Sequence, residues 1–103
     1  MIARIWRGWV ADPEAADAYT EFVTGTFLPA ACRIPGCRGA QVLRRIVGDE
    51  IEFMTILRFE SIDAIKAFAG EDYEVANVAP RARELLSRFE PRCAHYHLAF
   101  EAG

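Results

Sequence analysis

The strands of this chain are apolar on both faces, whereas a lone two-layer domain should leave one sheet face wet. Across Ile51 to Phe59, one side carries Ile51, Phe53, Thr55, Leu57 and Phe59, and the other Glu52, Met54, Ile56 and Arg58. Cys93 to Phe100 behaves similarly, with Ala94, Tyr96, Leu98 and Phe100 on one side and Cys93, His95, His97 and Ala99 on the other. Ile2 to Val10 sets Trp6 against Ile5 and Trp9. Side chains alternate along a strand, so two apolar sets imply two buried faces. Helices can cover one of them. A second copy of the sheet is the expected cover for the other, which predicts a homodimer through the sheet face.

With 103 residues the chain reads as a single domain, 1–103. A domain of that size buries roughly 65% of its unfolded surface. An apolar fraction of 52% fits further burial against a partner. The net charge of −3 comes without any basic block, so nucleic acid is not an expected partner. No apolar run approaches the roughly 20 residues of a membrane span. Met1-Ile2-Ala3-Arg4 runs straight into a strand pattern and does not read as a signal peptide. Cys32, Cys37 and Cys93 form no CxxC, and reduced thiols in a cytoplasmic protein are the simplest reading.

The element order follows from periodicity and punctuation. Ile2 to Ala11 is a strand. Asp12 then Pro13 starts a helix, Asp capping free amides and Pro fitting the first turn. Ala15, Tyr19, Phe22, Val23 and Thr26 follow at helical spacing, and Pro29 kinks or ends the run. Pro35-Gly36 marks a turn and Gly39 closes the loop. Gln41 to Val47 and Ile51 to Phe59 make a hairpin across Gly48-Asp49-Glu50. Ser61 caps a helix with Ile62, Ile65, Phe68 and Ala69 inward, which Gly70 ends. Glu71 to Ala79 is ambiguous, at most an irregular helical turn. Pro80 opens a helix through Ala82, Leu85, Leu86 and Phe89; Pro91 ends it, and Arg92 to Glu101 is the last strand. The order is β-α-β-β-α-β with one extra helix: an α+β, ferredoxin-like arrangement with an antiparallel sheet.

Several segments resemble the antibiotic biosynthesis monooxygenase-like family of dimeric α/β barrels. They are MIARIWRG (Met1 to Gly8), PGCRGA (Pro35 to Ala40), VLRR (Val42 to Arg45), SIDAIKAFAG (Ser61 to Gly70), Phe89-Glu90-Pro91 and His95-Tyr96. The resemblance implies the dimeric barrel. Its members include oxygenases that act on aromatic polyketides without metal or flavin, haem-degrading enzymes, and proteins with no assigned activity, so fold does not settle function. The haem-degrading branch uses an Asn on the first strand, a Trp ending the third, and a His after the second helix as iron ligand. Alignment on the resemblance puts Ile5, Phe59 and Val78 at those places, with Asn77 beside Val78. None of the three roles is met. Haem degradation by that mechanism is therefore not expected, and neither is bound haem, flavin or zinc. Cys32, Cys37, Cys93 and His95 lack the spacing of a zinc set.

The expected function is a cofactor-independent monooxygenase acting on an aromatic or quinone-like small molecule. In that chemistry His95 is the candidate base, since His titrates near neutral pH, and Arg7 the candidate anion stabiliser. Each has a plainer reading: a hydrogen-bonded core histidine beside a solvated His97, and a salt bridge at the dimer seam for Arg7, as for Arg58. Trp9, Phe22, Phe59, Phe68 and Tyr73 are the candidate substrate-binding wall, with Ile5 and Phe59 taken as the pocket-facing reference. The alternative is a non-catalytic small-ligand-binding or structural dimer whose cavity is filled by core side chains. An isomerase or decarboxylase on the same fold is a third reading.

Overall fold

In a computed structural model, Met1–Gly103 are all described. The central strand, β1 (Ile2–Val10), pairs antiparallel with β3 (Glu50–Phe59) on one side. On its other side it pairs with two short strands, β4 (Arg88–Phe89) and β5 (Ala94–His97). The outer strand β2 (Cys37–Val47) pairs with β3. The helices are α1 (Pro13–Phe22), α2 (Leu28–Ala31), α3 (Ile62–Ala69) and α4 (Pro80–Leu85). This is the ferredoxin-like α+β arrangement with an antiparallel sheet.

Local chemistry accounts for most boundaries. Asp12 accepts from the Ala15 amide at 2.8 Å to cap α1, and Ser61 accepts from the Ala64 amide at 3.1 Å to cap α3. Between α1 and α2 the chain makes a π-helical turn, Val23–Phe27, in which the Leu28 amide reaches back to the Val23 carbonyl. Pro29 has no amide to give, and its ring would strike the carbonyl four residues earlier. The wider turn accommodates both, so Pro29 bends the run without ending it.

Strand alternation decides what the helices cover. Arg4 lies opposite Leu57 and His95, and Trp6 opposite Thr55. The covered face therefore carries Ile2, Arg4, Trp6, Gly8 and Val10 with Phe53, Thr55, Leu57 and Phe59. Tyr19, 2% exposed, meets the Phe53 ring edge-on at 4.7 Å, while Phe59 and Phe68 lie 5.5 Å apart. Gly8 is needed for contact: a side chain there would meet Leu86 at 3.0 Å.

The opposite face has no helix over it. Ile5 lies opposite Ile56, Arg7 opposite Met54, Trp9 opposite Glu52, and Ala3 opposite Tyr96. Leu43 and Tyr96 stand 51% and 60% exposed there. Trp9 is shielded between two guanidinium groups, Arg7 at 5.5 Å and Arg88 at 3.9 Å from its ring.

Three boundaries differ from the sequence expectations. β2 begins at Cys37, through a bulge between Cys37 and Gly39, instead of at Gln41. α4 stops at Leu85, and Phe89 belongs to a strand. The cause is tertiary: the Ser87 amide and hydroxyl both donate to the Trp9 carbonyl, at 2.8 and 3.0 Å, and the Glu90 amide donates to that of Arg7 at 3.0 Å. These edge bonds outweigh the helical periodicity. The last strand is only Ala94–His97, and Glu101 instead pairs with Arg58 at 3.6 Å.

Gly36 is the position where the turn chemistry can be tested. Its φ is +90°, and a Cβ there would sit 2.5 Å from that of Ala64 on α3. Gly36→Ala is expected to cost about 1–3 kcal/mol from backbone strain, before the clash is counted. Urea unfolding measures it, and a loss below about 0.5 kcal/mol would contradict this account of the turn.

Candidate functional site

The covered face and the helices do not close completely on each other. Between them lies a narrow cavity of about 60 Å³, opening through a mouth that brings the empty space to about 590 Å³ when solvent is counted. The sheet supplies Arg4, Trp6, Thr55 and Leu57; α1 and the π-helical turn supply Tyr19, Phe22, Val23 and Phe27. Phe68 comes from α3, Ala76 to Ala79 from the segment before α4, and Cys93 from the chain entering β5. Most of this surface is apolar, as ligand cavities generally are.

Arg4 is the exception. It is only 5% exposed although it carries a permanent charge. Nη1 donates to the Tyr73 carbonyl and, at 3.0 Å, to His95 Nε2; Nη2 donates to the Val75 carbonyl at 3.4 Å. All three acceptors are neutral. Burial pushes the Arg4 pKa down, and the only acidic group whose charge opposes that shift is the Cys93 thiol. Burial in turn pushes Cys93 up, which keeps it a neutral thiol at pH 7 despite the nearby guanidinium. The buried cation thus has no anionic partner, an unusual arrangement given the cost of desolvating a charge.

His95 takes its state from Arg4. A guanidinium can only donate, so Nε2 must be the accepting nitrogen and Nδ1 carries the proton. Nδ1 is buried and has no partner. Burial lowers the His95 pKa first and the Arg4 charge second, against a weaker opposing pull from Glu74. The ring stands edge-on to Tyr73 at 5.0 Å.

Phe22 and Phe68 line the cavity, as the sequence suggests. His95 lies on the cavity face behind Arg4, and Tyr73 packs against His95 while its carbonyl holds Arg4. Phe59 is fully buried behind Phe68, in the core and not in the wall. The placement of Arg7 and Trp9 is corrected: both lie on the open face. Arg7 there forms a two-pronged pair with Glu90, both bonds 3.2 Å. The reference residue Ile5 itself faces away from the cavity, opposite Ile56 and Ala94. A shift of one residue along a strand exchanges its faces, so everything carried from Ile5 along β1 went to the wrong side. Arg4, Trp6, Phe27 and Cys93 were missed for that reason or for want of a pattern. The available signal for Arg4 and Trp6 was their alternation with Ile2 and Val10. Val78 and Asn77 both reach the cavity wall, and the Asn77 amide donates to the Ala69 carbonyl at 3.1 Å.

No three His, Cys, Asp or Glu side chains converge in a way that could hold a metal ion. No helix is long and apolar enough to cross a membrane.

No sequence-family model matches the chain, and neither does any curated protein sequence. Solved structures do match in shape. The Mycobacterium tuberculosis protein Rv0793 is 20% identical over 99% of this chain and 98% of its own, with a TM-score of 0.64. The haem degrader MhuD from the same organism, solved with two haems in its active site, is 18% identical over the full length of both chains, TM-score 0.68. A Bacillus cereus protein provisionally described as an antibiotic biosynthesis monooxygenase is 16% identical over 99% of this chain and 94% of its own, TM-score 0.64. At such identities the likeness carries the fold and no more. This chain has the ferredoxin-like α+β fold of the antibiotic biosynthesis monooxygenase-like proteins.

Proposed function

We propose that the protein is a homodimeric, cofactor-independent monooxygenase that takes a flat aromatic or quinone-like molecule between its sheet and its helices. The observation that supports this most is the makeup of the cavity: an aromatic slot of Trp6, Phe22, Phe27 and Phe68 with one buried guanidinium, Arg4, in its wall, backed by the neutral imidazole of His95. Aromatic walls orient a planar ring, and a fixed cation stabilises the anion left when the ring system loses a proton. His95 is the base in this reading. Arg4 covers its Nε2 in the ligand-free molecule, so the base acts once substrate binding opens that one hydrogen bond, the carbonyl bonds of Arg4 remaining in place. The substrate anion then gives electrons to O₂. One oxygen atom ends in the product, converting a CH₂ to a carbonyl, and the other leaves as water. Arg7 has no part in this step.

The covering of Nε2 by Arg4 also favours a second reading, a dimer that binds the same kind of molecule without transforming it. Oxygen consumption with an anthrone separates the two. His95→Ala is expected to slow turnover at least about tenfold while the fold persists, as removal of a proton-transfer group does. Turnover unchanged by that substitution would remove His95 from the mechanism.

The dimer reading rests on the open face, where Ile5, Met54 and Ile56 lie beside the exposed Leu43 and Tyr96. Sedimentation at micromolar concentration should give twice the 11.6 kDa chain mass. Leu43→Asp should shift the population toward monomer, because a charge on an apolar interface is left unpaired. A wild-type monomer would contradict the reading.

The state of His95 can be read directly. Its folded pKa lies below 6.5, so the unfolded chain takes up a proton first as pH falls. His95 therefore contributes stability above pH 6.5, and that contribution is lost as pH drops through 6.5 toward the folded pKa. An NMR titration should find the His95 midpoint below 6.5. Arg4→Met should raise it only in part, since burial is the larger cause. A midpoint above 6.5 would contradict the burial account.

A further inference from the structure

We propose that Arg4 is an anion-binding residue and that the molecule taken by the cavity is an aromatic carboxylate. This rests on the reading that the cavity holds a flat aromatic ring, and adds to it the charged group that the ring carries.

The argument starts from hydrogen-bond bookkeeping on one side chain. A guanidinium offers five N–H donors. Both hydrogens of Arg4 Nη1 are used, on the Tyr73 carbonyl and His95 Nε2, and one of Nη2 points at the Val75 carbonyl. Nε–H and the second Nη2–H bond to no protein group. A guanidinium whose Nε–H and Nη2–H are both free offers, along the edge they share, the fork that grips both oxygens of a carboxylate at once. A phenolate or enolate oxygen would use only half of that edge. Arg4 lines the cavity, so the edge belongs to a residue that a ligand can reach.

Charge points the same way. No Asp or Glu neutralises Arg4, and Cys93 beside it is held neutral by burial. The side chain cannot shed its proton, so an anion has to come from outside the chain if the charge is to be matched. His95 Nδ1–H, buried behind Arg4 without a partner, is a further unmet donor in the same cluster, though it does not line the cavity. The cluster is rich in donors and poor in acceptors, which suits a ligand group that only accepts. The aromatic ring of that ligand would extend from Arg4 along Phe68, whose centroid lies 5.6 Å from the Arg4 guanidinium carbon, toward Phe22 and Phe27.

The test compares two probes that share a ring system and differ in charge: 2-naphthoate and its neutral methyl ester. Binding is followed at pH 7 through tryptophan fluorescence, since Trp6 is in the cavity wall. The wild-type protein is expected to bind the acid at least about tenfold more tightly than the ester, the scale of one charge-assisted hydrogen-bond pair. Arg4→Met should abolish the preference, so that acid and ester bind equally, whatever the change in ester affinity itself. Arg4→Lys keeps the charge without the fork and should retain part of the preference; with the wild-type pair it decides the matter should Arg4→Met fail to fold. Equal binding of acid and ester by the wild type would overturn the anion site while leaving the aromatic slot intact. A preference that survives in Arg4→Met would overturn Arg4 as its source. Binding of neither probe would overturn the aromatic cavity itself, and the anion site with it.

Discussion

The pairing of β1 with β3 in a single register, Trp6 opposite Thr55, decides what this protein can do. It places Arg4 and Trp6 under the helices and Ile5, Arg7 and Trp9 on the open face. A slip of one residue would exchange the two sets, burying Arg7 and exposing Arg4. Two features hold the register. Val10, Phe53 and Phe59 are all within 1% of full burial, so a slip would expose a large share of the core. Gly8 admits Leu86 against the strand, and no other β1 residue is small enough and faces the right way.

The same register brings Arg4 beside β5 and beneath Tyr73 and Val75. The irregular stretch between α3 and α4 is therefore pinned to the sheet by one guanidinium and backed by the Ala76 amide bond to the Pro91 carbonyl, at 2.9 Å, and the ion pairs of Arg92 with Asp72 and Glu74. That stretch supplies Ala76 to Ala79 to the cavity. A structural tie and a ligand-facing charge thus reside in one side chain. Its neutral carbonyl partners hold the guanidinium in place and leave its charge unmatched, the feature on which the proposed anion selectivity rests.

Much of the architecture was legible from local chemistry. Asp12-Pro13, Ser61 and Gly70 mark helix ends because their caps are short-range and independent of the rest of the chain. The exceptions come from long-range bonds. Phe89 has the spacing of a helix, yet Ser87 and Glu90 are captured by carbonyls on β1, nearly 80 residues away. The cavity was legible in its aromatics, Phe22 and Phe68, since helical periodicity fixes which way they point. Its polar centre was not. The resemblance supplied Ile5 as the reference, and alternation then faithfully carried the wrong face along β1 to Arg7 and Trp9. An arginine in a strand reads as a surface residue unless its neighbours on the same face, here Ile2, Trp6 and Val10, are weighed first.

The central claim is that Arg4 carries an unmatched charge which an aromatic carboxylate completes. The most direct measurement is the ¹⁵N–¹H NMR signal of the Arg4 Nε–H, assigned by its loss in an Arg4 substitution, during titration with 2-naphthoate. A buried guanidinium should give a resolved signal, and it should move downfield and saturate at one naphthoate per chain as Nε–H gains its acceptor. An Arg4 signal that stays in place while naphthoate saturates the protein would contradict the account.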